Sequence, residues 1–147
     1  LPGKVDVNQF TSIGGIPAPV RQGALRVDHL EALEDADIAP PKRSNTLPTL
    51  LPSCSFFLNI PFAPASQLID ADLPVTLATD FNPGTTPSGN MNLVVALACI
   101  RLRMLPEEAI NAATINAAAA MGLASELGSI TVGKRASFII PMVVSKA

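Results

Sequence analysis

A short apolar run over residues 73–77 ends abruptly in a carboxylate and a tight turn, within Leu77-Ala78-Thr79-Asp80-Phe81-Asn82-Pro83-Gly84-Thr85. A buried parallel strand delivers a reactive group in this way to the mouth of an α/β fold, where the loops after the strand ends form the site. Asp80 can act there as a metal ligand or a proton acceptor. The turn from Asn82 to Thr85 offers backbone N–H groups, an amide and a hydroxyl to an anion. The same residues also read as a helix cap followed by a plain turn. Local sequence leaves both readings open.

Short apolar segments alternate with helical ones along the rest of the chain, which argues for βα units and a parallel sheet. Residues 4–7 form a brief strand candidate, followed by Gly14-Gly15 and a helix over 16–22, where prolines in the first turn are tolerated. Residues 24–27 are the next strand, with Asp28-His29 at its exit. A helix from Glu31 should stop at Pro40-Pro41. Residues 46–51 read as a third strand, irregular or at an edge because Pro48 lacks a ladder N–H. A short helix over 65–71 and a strand over 75–79 lead to the Asp80 turn. Beyond it, Ser88 caps a helix running to about Arg103, and Leu105-Pro106-Glu107-Glu108 starts another that runs to Met121. The small residues Ala96, Ala98, Ala113, Ala117 and Ala120 should let these two helices pack closely on the strands. Residues 128–136 resemble a strand and turn leading into 137–140, the start of a small β element outside the βα rhythm.

Four βα units do not close a (β/α)8 barrel. The chain has 147 residues, of which 48% are hydrophobic and only 15% charged, and typical charge content is about 25%. Sparse charge suits a chain with much of its surface buried against something else, so half of a larger unit is the favoured reading. With no Trp or Tyr and six Phe, the core must be aliphatic. A formal net charge of -2 without a basic stripe argues against nucleic acid. No apolar run approaches the ~20 residues of a membrane span, and no secretory signal is visible. Cys54 and Cys99 sit in apolar surroundings without CxxC spacing, as reduced residues of a cytoplasmic protein do. The lack of an initiator Met points to a fragment or a processed product.

His29 is the only histidine. It follows a predicted strand, as Asp80 does, and the carboxyl ends of parallel strands converge on one face. The flanking carboxylates Asp28 and Glu31 can orient or charge its ring, although a lone histidine is more often structural. Asp6 is a further carboxylate at a strand end. His29, Asp80 and Asp6 fall short of a complete zinc site, and no HxH or HExxH is present. The Asn8 and Gln9 amides suit a polar ligand or plain solvent exposure. Ser53 and Ser55 lack the pattern of a nucleophile elbow, and Gly14-Gly15 has no P-loop lysine. Asn111, Thr114 and Asn116, on a helix with apolar residues, can bridge backbone groups between layers.

The chain closely resembles the C-terminal part of the imidazolonepropionases of the amidohydrolase superfamily. The likeness is carried by Gln9-Phe10-Thr11-Ser12-Ile13-Gly14-Gly15, by Gly23-Ala24-Leu25-Arg26-Val27-Asp28-His29-Leu30-Glu31 and by Leu51-Pro52-Ser53-Cys54-Ser55-Phe56-Phe57-Leu58. The most specific runs are Ala78-Thr79-Asp80-Phe81-Asn82-Pro83-Gly84-Thr85 and residues 106–118. The resemblance implies an α/β fold, the C-terminal half of a distorted (β/α)8 TIM barrel, with the start of a small β-sandwich element at the C-terminus. Residues 1–127 would be the partial barrel and 128–147 the β-sandwich or composite-domain segment.

The resemblance further implies a metal-dependent hydrolase that opens the cyclic amide of 4-imidazolone-5-propanoate to N-formimidoyl-L-glutamate. Asp80 would bind one divalent metal, Zn2+ or Fe2+, and take a proton from the attacking water. His29 would contact the imidazolone ring as a catalytic and substrate-binding group. Asn82, Gly84 and Thr85 would recognise the carboxylate end. Asp6 stands where related sequences carry a metal-ligand histidine, which exchanges a neutral imidazole for an anion. The family's HxH and its arginine and tyrosine substrate contacts belong to a region upstream of this chain. The implied partners are the small-molecule substrate, the missing N-terminal half of the barrel and a second copy in a homodimer, with no nucleic acid and no membrane. The alternatives are another cyclic amidohydrolase or aminohydrolase, or a truncated, non-catalytic chain that needs a partner.

Overall fold

The computed structural model describes residues 3–139. Four strands, β1 (Lys4–Val7), β2 (Arg26–His29), β3 (Leu47–Leu50) and β4 (Thr76–Leu77), form one sheet in the order β1-β2-β3-β4. Every pairing is parallel. Each connection carries helix: α1 (Pro17–Arg21) between β1 and β2, a 3-10 turn (Asp35–Asp37) and α2 (Ala39–Lys42) before β3, and α3 (Pro52–Leu58) and α4 (Ala65–Asp70) before β4. After β4 come α5 (Met91–Arg101), α6 (Pro106–Ala113) and α7 (Ile115–Ala120). Strands in chain order with helical crossovers are the βα rhythm read from the sequence, arrested at a partial barrel.

The register explains the two faces of the sheet. Side chains alternate along a strand, so Val7, Val27, Leu50 and Leu77 join the buried core with Ile16, Leu68, Val94, Ala98, Ala109 and Ala112. The alternate positions make a polar row across the sheet, Asp6 level with Asp28, Asp28 with Thr49, and Thr49 with Thr76. The Thr76 hydroxyl donates to Thr49 Oγ1 at 2.7 Å. β2, β3 and β4 are buried along most or all of their length, whereas Lys4, Val5 and Asp6 of the edge strand β1 are exposed.

Several local expectations are corrected. β3 lies inside the sheet, between β2 and β4, in spite of Pro48. Leu47 N–H bonds to Leu25 O on the β2 side, so the nitrogen of Pro48 faces β4, whose pairing begins one residue later at Thr49. The missing N–H therefore interrupts no ladder bond. Pro40 and Pro41 do not stop a helix but sit in the first turn of α2, where backbone N–H groups have no helical partner. Asn90 caps α5 instead of Ser88, accepting from Asn92 N at 3.0 Å and Leu93 N at 3.4 Å. Helix α3, to which the sequence reading assigned no element, starts at Pro52 and ends at Asn59 in the left-handed region.

The helix expected over 106–121 is two helices broken at Thr114, whose hydroxyl bonds back to Ile110 O at 2.6 Å. Its start is as expected, with the Glu108 carboxylate accepting from Leu105 N at 2.8 Å. Asn116 bridges layers as anticipated, its amide donating to Val75 O at 2.8 Å and tying α7 to β4. Helices α6 and α7 pack on β4, and α5 packs on α3 and α6. Ala98 and Ala120 are buried and Ala113 and Ala117 half-buried, but Ala96 is exposed, so α5 turns that side outward. Residues 128–139 form turns and irregular backbone without a strand. The rest of the expected β-sandwich segment, 140–147, lies outside the described residues.

Candidate functional site at the carboxyl end of the sheet

Polar groups stand at or shortly after each strand's end, and all four ends open on the same side because the strands are parallel. β1 runs into Asn8 and Gln9, β2 ends at His29, β3 leads through Leu51 into Ser53, Cys54 and Ser55 of α3, and β4 leads to Asp80. Three of these groups sit on strained backbone, with φ of +52° at Asn8, +80° at His29 and +53° at Asp80. Left-handed conformations in L-residues cost ~1–3 kcal/mol each and cluster at functional sites.

Asp80 is half-buried, and its Oδ2 accepts from Thr85 Oγ1 at 3.4 Å and Thr86 Oγ1 at 3.5 Å. His29 is 5% exposed, with Nδ1 3.5 Å from Glu31 Oε2. Burial works against a charged ring, but the hydrogen bond and charge of Glu31 outweigh it, with Asp6 and Asp80 adding, so the His29 pKa is raised. Asp80 and His29 thus stand at the same end of the sheet, with β3 between their strands. Asp6, exposed on β1, contributes through its charge.

Asp28, the other flanking carboxylate, turns away from His29 and pairs with Arg26 at 2.9 Å. Burial raises its pKa against the opposing effect of Arg26. Cys54 is fully buried and free. Burial first and then the charge of Asp80 push its thiol up, and Gln9 Nε2 lies 3.5 Å from Sγ. Its place beside Asp80 was missed in the sequence, where Cys54 read as a core residue. The signal was available, because Cys54 follows an apolar strand as His29 does. The Asn8 amide is buried and taken up internally, donating to Asp37 Oδ2 at 2.8 Å.

The Asn82–Thr85 turn departs from expectation in one respect. Its N–H groups do not stand open for an anion: Gly84 N and Thr85 N donate to Asn82 Oδ1 at 3.0 and 2.7 Å. The Asn82 amide donates to Asp80 O and to Thr85 Oγ1, both at 2.7 Å. Asn82 and Thr86 exchange backbone bonds as well. The turn is self-satisfied, and it holds Asp80 from below.

Among the described residues no three His, Cys, Asp or Glu side chains come together as a metal-holding group. Asp80 and Asp6 by themselves do not make a metal site, which takes three or more protein ligands for zinc. No helix among the described residues is long and apolar enough to cross a membrane.

Comparison with known proteins agrees with this architecture. The model of the Amidohydrolase family matches residues 27–143. The chain is 61% identical over 140 residues to the imidazolonepropionase of Christiangramia forsetii, covering 95% of this chain and 34% of that protein. It is 60% identical to that of Flavobacterium johnsoniae, over 99% of this chain and 35% of the relative, and 44% identical to that of Deinococcus radiodurans, over 93% and 34%. The chain therefore spans about a third of the length of these relatives. Among solved structures, a zinc-bound adenosine deaminase from Xanthomonas campestris superposes with a TM-score of 0.76 at 21% identity, covering 92% of this chain and 36% of that one. Guanine deaminase of E. coli gives 0.67 at 22% identity, over 78% and 27%. These likenesses concern the fold alone, part of a parallel α/β barrel. With the family model matching most of its length, the chain belongs to the amidohydrolase family.

Proposed function

We infer that this chain is the C-terminal part of an imidazolonepropionase, hydrolysing the cyclic amide of 4-imidazolone-5-propanoate to N-formimidoyl-L-glutamate in histidine degradation. The observation that carries this reading is the 60–61% identity to imidazolonepropionases over nearly all of this chain, with His29 and Asp80 following parallel strands of one sheet. Asp80 is this chain's ligand for a divalent metal, Zn2+ or Fe2+, with Asp6 as a second candidate and the remaining ligands supplied by the upstream half of the barrel. The metal supplies an activated water when bound. Asp80 accepts the proton of that attacking water. His29 meets the imidazolone ring.

Asn82, Gly84 and Thr85 recognise the propionate end. Asn82 Oδ1 already holds the Gly84 and Thr85 N–H groups, where a carboxylate oxygen can replace it as a stronger, charged acceptor. Residues up to 127 serve the barrel, and the strandless segment from 128 to 139 leads into a composite domain. The apolar hollow of about 910 Å³ between α6, α7 and residues 127–139 is a surface that such a domain would cover. The protein works in the cytoplasm, where its two thiols stay reduced, and a homodimer is its expected assembly.

The test is turnover of 4-imidazolone-5-propanoate by the protein that joins this chain to its upstream half. Turnover that is lost in Asp80→Asn and cut by His29→Asn supports the reading. Activity on hydantoins or purines with none on imidazolonepropionate overturns it in favour of another amidohydrolase.

A further inference from the structure

The backbone reverses sharply where β2 ends. His29 and Leu30 are consecutive L-residues at φ +80° and +72°, a strained pair that persists only where its surroundings hold it. Here β1 does the holding: Leu30 N donates to Val7 O at 3.3 Å and Ala32 N to Asn8 O at 2.8 Å. The reversal folds the Glu31 carboxylate back against the histidine that precedes it by two residues. Glu31 Oε2 then lies 3.5 Å from His29 Nδ1, and Ser55 Oγ, from α3, donates to the other oxygen, Oε1, at 2.9 Å.

Glu31 is 9% exposed and its side chain 1%. Neither His29 Nδ1 nor Glu31 Oε2 has a hydrogen-bond partner, and each is the other's nearest opposite group. At 3.5 Å the contact is long for a hydrogen bond, and a small rotation of the ring closes it. A carboxylate only accepts, so the imidazole nitrogen that faces it carries the hydrogen.

We propose that Glu31 and Ser55 are positioning residues that fix the His29 ring with its hydrogen on Nδ1 and present Nε2 to the substrate. The proposal rests on the reading of His29 as the group that meets the imidazolone. Ser55 anchors one carboxylate oxygen so that the other stays aimed at the ring. The strain at residues 29 and 30 thereby acquires a purpose, because an unstrained exit from β2 would carry Glu31 away from Nδ1.

The experiment is nitrogen-15 NMR of the ring in the whole protein, the His29 signals being identified by their loss in His29→Asn. Above the ring's pKa the wild type should show the Nδ1–H tautomer, and Glu31→Gln should shift the ring toward Nε2–H. Ser55→Ala, which removes one hydroxyl, should shift it part of the way, and Ser55→Thr should restore it. Turnover of 4-imidazolone-5-propanoate should fall about 10- to 100-fold in Glu31→Gln, in kcat more than in KM. An Nε2–H tautomer in the wild type, or a ring spectrum unchanged by both Glu31→Gln and Ser55→Ala, overturns the positioning role. The expected tautomer with undiminished turnover in both His29→Asn and Glu31→Gln overturns instead the substrate-facing role of His29.

Discussion

Asn82 gathers more hydrogen bonds than any other side chain at the mouth, accepting from Gly84 N and Thr85 N and donating to Asp80 O and Thr85 Oγ1. Asn82→Ala should therefore destabilise by about 1–3 kcal/mol, read as a lower urea midpoint at unchanged slope. A midpoint equal to the wild type's would mean that the turn stands without it. His29 has its own signature in pH. Its pKa is raised, burial being outweighed by Glu31 with help from Asp6 and Asp80, so the folded state holds the proton more tightly than the unfolded one. That contribution is complete below the unfolded value of about 6.5 and is lost as pH rises through the raised pKa. Unfolding free energy should decline over that interval in the wild type, with the decline missing from His29→Gln, and parallel curves would refute the assignment. The positions of Asp80 and His29 at strand exits were legible in the sequence because a polar residue after a short apolar run marks a parallel strand's exit. That Asn82 takes up the N–H groups of its own turn was not legible, since an Asx turn and an open anion nest use the same residues. The pairing of Asp28 with Arg26, leaving Glu31 for His29, depends on the backbone reversal at residues 29 and 30, which no spacing rule announces.

At the scale of elements, strands were the most readable features, because Val27, Leu50 and Leu77 lie in short apolar runs. Pro48 misled, since the cost of a proline depends on whether its nitrogen faces a paired neighbour, a property of register and not of composition. The single helix read over 106–121 failed at Thr114, where the backbone breaks to φ −123° and ψ −82° inside an alanine-rich stretch of high helix propensity. The segment after α7 returns to touch that break. Gly128 has φ +89°, and a Cβ placed there would meet Ala118 Cβ at 2.7 Å and Thr114 O at 2.9 Å. Gly133, at φ +92°, has nothing within 4 Å of such a Cβ. Gly128→Ala should lower stability by about 1–3 kcal/mol more than Gly133→Ala does, since only the first adds a collision to the backbone strain. Equal thermal shifts for the two variants would show that the segment does not press on α7.

As a whole, the molecule leaves large apolar side chains open to solvent. Phe10, Ile13 and Phe81 near the mouth are 67%, 78% and 68% exposed, and Ile130 and Val132 stand out beside the hollow on α6 and α7. The sparse charge of the sequence agrees with this exposed apolar surface, whereas the sheet order came only from coordinates. The 147-residue chain by itself should neither hold zinc or ferrous iron stoichiometrically nor hydrolyse 4-imidazolone-5-propanoate. A metal titration paired with substrate loss checks this, and stoichiometric metal with turnover abolished by Asp80→Asn would overturn it. Joining the upstream half should restore binding first; where turnover still lags, Asp6→His should raise it if the exchanged ligand is the defect. The exposed outer flank of β1 has a consequence for protein engineering. Backbone groups on that flank, next to Val5 and Asp6, form a ready-made zipper for another parallel strand. A split made there leaves the helices between β1 and β4 whole, so the two polypeptides become candidates for a complementation reporter whose signal appears only when they meet.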